Sequence, residues 1–242
     1  MRSFFEMYID QNLCKKCLDC RPVCPMGAIY VETERVTIDY EACVECGVCQ
    51  RYGICPEGAI KQVEEIPYPR VIRAVFSDPL TTHRSTGIGG RGTEEMKTND
   101  VTNQYKRGWI GFSVELGRPG VGAYLRDLDK VLRKVKSMGV ELARDNPVVP
   151  LIADPETGAL RSEILNEKVL SAIVEFVIEE ERALEFIREL KTFLNEELET
   201  VATVSVIVRA DQQGRFPFLE RLREFGEAPY PNAKINIGMA LV

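Results

Sequence analysis

The sequence predicts an α+β protein of two parts: a small cysteine-rich N-terminal domain, residues 1–66, and an α/β domain, residues 67–242, with a mixed sheet and helices. Three observations carry this. All eight cysteines lie between positions 14 and 55. That stretch is an internal repeat of about 29 residues. After Pro67-Tyr68-Pro69, where each proline removes a donor and favours extended backbone before it, segments of strand and helix periodicity alternate to the end.

The repeat comes first. Cys14, Cys17, Cys20 and Cys24 form C-x2-C-x2-C-x3-C before Pro25; Cys43, Cys46, Cys49 and Cys55 form C-x2-C-x2-C-x5-C before Pro56. Ile9-Asp10 answers Ile38-Asp39, and Cys24-Pro25-Met26-Gly27-Ala28-Ile29 answers Cys55-Pro56-Glu57-Gly58-Ala59-Ile60. Two intervening residues let a tight loop wrap three sulfurs around three iron corners, while the fourth arrives from elsewhere. Zinc sites favour C-x2-C pairs across a longer loop, and four disulfides would need an oxidising compartment, for which no signal peptide speaks. The second run departs from the first by two extra residues within Gln50–Ile54. Residues 6–10 and 29–38 alternate as short flanking strands, with Glu32-Thr33-Glu34 as the turn.

These motifs resemble the bacterial two-cluster ferredoxins. The resemblance implies two 4Fe–4S clusters, one on Cys14, Cys17, Cys20 and Cys55 and the other on Cys43, Cys46, Cys49 and Cys24. For the second domain, the strand–helix alternation leaves room for two ferredoxin-fold-like βαβ halves.

Charge excludes some classes. Net charge is −6. Residues 1–66 carry 7 basic and 11 acidic groups, residues 67–107 carry 7 and 4, and residues 108–242 carry 17 and 22. No basic face suited to nucleic acid is present, and no apolar run approaches the roughly 18 residues of a membrane span. A cytoplasmic location in an anaerobe is expected.

Arg70–Phe76 reads as a strand. The loop 77–108 then has almost no apolar periodicity and is specialised in composition. It holds the only histidine, His83, beside Arg84, then Gly87, Gly89, Gly90, Arg91 and Gly92, then Thr93-Glu94-Glu95-Met96-Lys97 as a helix start. His83, Arg84, Gly89, Gly90, Arg91 and Lys97 are candidate contacts for an anionic small molecule. Trp109–Leu116 is the clearest strand, with Ile110, Phe112, Val114 and Leu116 on one face. Arg118 and the amides of Gly120 and Gly122 make a second candidate anion or substrate contact, where Glu115 could answer a cation or proton, with a tight turn needing glycines as the plainer reading. A helix follows from Val121 to Met138, stopped by Gly139. Val140–Ile152 reads as broken strand, 154–158 as turn, 162–170 as short helix and Ala172–Glu179 as buried strand. Arg182–Glu199 reads as helix, Thr200–Arg209 as strand, Phe216–Phe225 as helix and Lys234–Leu241 as strand.

Residues 79–123, with Thr86-Gly87-Ile88-Gly89-Gly90-Arg91-Gly92 and Glu115-Leu116-Gly117-Arg118-Pro119-Gly120, also resemble the segment after the ferredoxin domain of 6-hydroxynicotinate reductase-type proteins. That resemblance implies a subunit of a multi-component anaerobic reductase. The expected function is an iron–sulfur electron-transfer subunit relaying low-potential electrons to a partner reductase or flavoprotein. Two alternatives stay open: an enzyme with its own anionic site in the Gly-rich loop, and a redox-sensing or structural iron–sulfur protein.

Overall fold

A computed structural model describes residues 6–82, 99–100, 104–230 and 239–240. Two hydrophobic clusters organise them. The smaller holds Met7, Ile29, Val36, Val44, Ala59 and Ile60 with the cysteines; the larger gathers apolar residues from Ile72 to Leu222.

Around the smaller core, β1 (Tyr8–Ile9) pairs antiparallel with β4 (Ile60–Lys61), and β2 (Ile29–Glu32) with β3 (Arg35–Ile38). The expected turn is there: Thr33 and Glu34 have φ of 44° and 63°, left-handed values that close a two-residue hairpin. A one-turn helix α1 (Val48–Arg51) leads into the longer spacing of the second cysteine run.

Residues 70–76, expected as strand, are helical instead: α2 spans Val71–Ser77. Ile72 and Phe76, four apart, enter the larger core together, while Arg73 between them is buried toward the cysteine region. A β-branched run suggested strand; the burial follows a period of 3.6.

The sheet of the larger body has β6 (Trp109–Leu116) at its centre, flanked antiparallel by β11 (Ala172–Glu179) and β12 (Ala202–Ile207). Helices α3 (Leu125–Ser137) and α4 (Glu180–Glu197) cover its apolar face. Phe112 and Phe176 stack at 5.3 Å there, and Phe186 of α4 closes over both at 5.2 and 5.5 Å. Glycine 139, at φ 73°, ends α3 as expected. Helix α5 (Pro217–Glu224) and the parallel bridge of β5 (Asn99–Asp100) with β13 (Met239–Ala240) complete the described elements. The described residues thus form one three-stranded antiparallel sheet and five two-stranded pairings; they do not delineate two βαβ halves.

Other expectations shift. The helix begins at Leu125, because Ala123–Tyr124 is taken as strand β7 against β10 (Lys168–Val169). That same pairing reduces the expected 162–170 helix to a 3-10 turn at Ser162–Ile164. Residues 140–152 yield a single bridge, Leu142 to Phe176, a 3-10 turn at Val149–Leu151 and then β8 (Ile152–Asp154), hairpinned to β9 (Ala159–Leu160). Pro147 and Pro150 deny that stretch a continuous ladder. Strand β11 is buried on both faces as expected, yet lies at the sheet edge, where Ala143 N–H donates to Glu175 O at 2.9 Å. Among the described residues, no helix is long and apolar enough to cross a membrane.

Candidate functional site: two cysteine sets

The two copies of the repeat fold alike at the level of backbone. Asp10 and Asp39 each accept an N–H two residues on, from Asn12 and Glu41, both at 2.9 Å. Their carbonyls accept the N–H of Cys14 (3.0 Å) and Cys43 (2.8 Å). Lys16 and Leu18 in the first loop, Glu45 and Gly47 in the second, hold φ between 53° and 68° at matching positions. After the last cysteine of each run, Ala28 and Ala59 donate to Cys24 Sγ and Cys55 Sγ, both at 3.3 Å.

The copies also exchange ends. Asp10 N–H donates to Ala59 O at 2.8 Å, and Asp39 N–H to Ala28 O at 2.7 Å. The start of each loop is therefore tied to the segment just past the fourth cysteine of the other copy. Electrostatics report the resulting neighbours. Burial pushes the Cys20 thiol up, and Cys17, Cys14 and Cys55 raise it further. Burial pushes Cys49 up to about 12, with Cys46 and Cys24 adding to it. Cys46 is likewise raised by burial and then by Cys24, and Cys43 goes up to about 12 through burial and the carboxylate of Glu45. Thiols this reluctant must give up protons to iron on binding. Among the described residues, no three ligating side chains converge tightly enough for one ion. A cubane asks for something looser, one thiolate per iron corner, and two sets of four soft donors fit it.

The sets differ in surroundings. Cys17 is the one exposed cysteine, whereas Cys46 and Cys49 are 8% and 7% exposed. Three arginines clasp the second loop. Arg73 Nη1 donates to the carbonyls of Tyr40 (2.9 Å), Glu41 (3.2 Å) and Cys43 (2.9 Å), while its Nε meets Glu167. Arg70 bonds Tyr40 O and pairs with Glu45, which is 0% exposed and also accepts Met7 N–H at 3.2 Å. Arg51 reaches back to Cys46 O and forward to Asp78 at the end of α2. The helical turn that carries Arg51 starts at Val48 and runs into the longer spacing of the second run. Sequence reasoning missed all three arginines and Glu45; the unequal spacing was the only local sign.

A sequence model of the 4Fe-4S dicluster domain matches residues 6–56. A ferredoxin-like protein in the vnf region of Azotobacter chroococcum is 42% identical over 53 residues, 21% of this chain and 82% of the relative. The chain belongs to the dicluster ferredoxins. An uncharacterized ferredoxin of Methanocaldococcus jannaschii is 39% identical over 56 residues, 22% of this chain and 87% of its own length. Pyruvate synthase subunit PorD of Methanothermobacter marburgensis is 39% identical over 61 residues, 25% of this chain and 69% of that subunit. As a dicluster ferredoxin over this segment, the chain carries two 4Fe–4S clusters and serves iron–sulfur electron transfer.

The remaining candidates divide. His83, Arg84, Gly89, Gly90, Arg91 and Lys97 lie outside the described residues. Glu115 and Arg118 meet at 3.2 Å at the end of β6, and Arg118 also donates to Thr203 Oγ1 (2.8 Å) and Gly117 O (2.7 Å). The nearby amides have protein acceptors: Gly120 N–H donates to Pro25 O at 2.7 Å, and Gly122 N–H to Arg118 O at 2.8 Å. The first amides of α3 are likewise taken, Leu125 by Glu167 O and Arg126 by Leu165 O, both at 2.9 Å. That junction serves to fix the cysteine region against the sheet.

Proposed function

We propose that the chain is the electron-transferring subunit of a larger reductive enzyme, with residues 1–66 as the redox domain and 67–242 as the part that docks to a reductase or flavoprotein subunit. In this reading Cys14, Cys17, Cys20 and Cys55 hold an outer cluster, and Cys43, Cys46, Cys49 and Cys24 an inner one. When bound, each cluster supplies a one-electron couple whose potential follows burial and hydrogen bonds to sulfur. The exchanged backbone bonds at Asp10–Ala59 and Asp39–Ala28 support the crossed sets.

The observation that carries the reading is the unequal burial of two otherwise matching sets. Exposed Cys17 gives the outer set contact with solvent. Beside the inner set, Gly120 N–H is bonded to Pro25 O, next to Cys24, and Arg73 of α2 holds Cys43 O, while Leu170 packs on the small core. The inner ligands are thereby walled by the larger body, toward which a relay would lead. PorD is a subunit of a pyruvate synthase, which supports a place beside a larger oxidoreductase; the resemblance of residues 79–123 to reductase-type proteins points the same way. An anionic substrate at Arg118 would have to displace Glu115, so a separate substrate site draws no support from the described residues.

Anaerobic purification from the native host, with iron counted and co-purifying chains identified, tests the assignment. About eight irons per chain and an attached reductase or flavoprotein are expected. Cys55→Ser and Cys20→Ser should abolish the same electron paramagnetic resonance signal, and Cys24→Ser and Cys49→Ser the other. Pairing within each run instead would overturn the crossed sets.

A further inference from the structure

Every arginine that touches the inner cysteine loop is matched by a carboxylate: Arg51 by Asp78, Arg70 by Glu45 and Glu6, Arg73 by Glu167. The outer loop has no such compensation. Lys15, Lys16 and Arg21 are exposed and interleaved with Cys14, Cys17 and Cys20; among the described residues none of the three has a carboxylate partner. Residues 14–24 hold three cations against one anion, Asp19, while the rest of residues 1–66 hold four against ten. The basic group of charges therefore sits where the ligand set reaches the surface, on a domain that is acidic everywhere else. Tyr52, 69% exposed, stands on the segment leading to Cys55.

We propose that Lys15, Lys16 and Arg21 form a docking surface for a small acidic one-electron carrier protein, with Tyr52 as an apolar contact beside it. The inference rests on the electron-relay reading above. Unpaired cations focused on one loop steer an anionic partner and repel a cationic one, and they set orientation more than affinity. A carrier oriented in this way presents its redox centre to the exposed ligand loop. A polynucleotide is a poorer match: three cations fall short of the roughly 6–10 phosphate contacts of a tight nucleic-acid binder.

The test uses the anaerobically purified, iron-loaded full chain with an acidic flavodoxin as probe. Association is followed at ionic strengths of about 0.01 M and about 0.15 M, between which the Debye length falls from about 30 Å to about 8 Å. The K15E/K16E/R21E variant is compared with R188E, a reversal on distant α4. Glutamate is compatible with the backbone at position 16, because Glu45 holds the matching left-handed position in the second copy at φ 53°. Iron content and the visible spectrum report that the variant loads normally. The proposal expects the triple reversal to slow association at low ionic strength by on the order of tenfold to a hundredfold. It expects R188E to leave the rate near that of the native chain, and all curves to converge at high ionic strength. Equal rates for the native chain and the triple reversal would overturn it, as would no association of flavodoxin with either. Reduction of the clusters in an electrochemical titration is read separately: clusters with no one-electron couple would sink the relay reading itself, whereas reducible clusters with unaltered docking would sink only this surface.

Discussion

Cys17 and Cys46 occupy the same place in two copies of one sequence, and their backbones match, with left-handed residues on either side in both loops. Yet Cys17 is exposed and Cys46 is 8% exposed. The shared backbone does not account for that. The second loop is held by contacts the first lacks, from Arg51 at the end of α1 and from Arg70 and Arg73 at the start of α2. A duplicated motif thus supplies two equal ligand frames, and the chain attached to it makes them unequal.

The largest test of that inequality is oxygen. Brief exposure of the loaded protein to air should remove about four of about eight irons first, and those should be the irons of the set containing Cys17, whose sulfur solvent reaches. Iron counts and resonance signals taken against time check this; simultaneous loss of both sets would erase the distinction. Next comes Arg73→Ala, which strands Glu167 and three carbonyls. It should cost about 3–5 kcal/mol, read as a lowered urea midpoint in the fluorescence of Trp109, the single tryptophan. In the outer loop, Lys15→Ala should stay within about 0.5 kcal/mol of the native chain.

A smaller contrast lies between Leu18 and Gly47, the matched left-handed positions. A Cβ at Gly47 would meet the Arg51 guanidinium, so Gly47→Ala adds loss of that clasp to backbone strain and should cost about 2–3 kcal/mol. Leu18→Gly removes strain of about 1 kcal/mol but also a side chain packed on the small core, and the two nearly offset. The smallest contrast should vanish. Gly27 and Gly58 both have positive φ with open space where a Cβ would go. Gly27→Ala and Gly58→Ala should each cost about 1 kcal/mol, equal within about 0.5 kcal/mol.

What could be read beforehand follows the range of the forces involved. Cysteine spacing and the alternation of Trp109–Leu116 are local, and both led to the right chemistry or the right element. Strand β11 and helix α4 were legible for the same reason, their apolar periods being unbroken. The helix α2 was misread because Val71, Ile72 and Val75 favour strand locally, while tertiary burial of Ile72 and Phe76 favours helix. The arginine clasp was invisible, since Arg73 and its carbonyl partners lie thirty or more residues apart. Residues 140–152 failed in a different way: two prolines among apolar residues left the hydrophobic pattern intact while removing the ladder it usually implies.

Arg73 reads main-chain oxygens at Tyr40, Glu41 and Cys43, so the contact is indifferent to which side chains those first two positions carry. Over time, residue 41, which is exposed, is free to drift without loosening the loop, whereas Tyr40 also lends its ring to Arg70 at 5.7 Å. Position 73 has no such latitude, because its planar fork serves three carbonyls and a carboxylate at once, and a lysine offers only a point charge. In related chains built this way, variation should gather on the loop being held, and invariance on the distant residue that holds it.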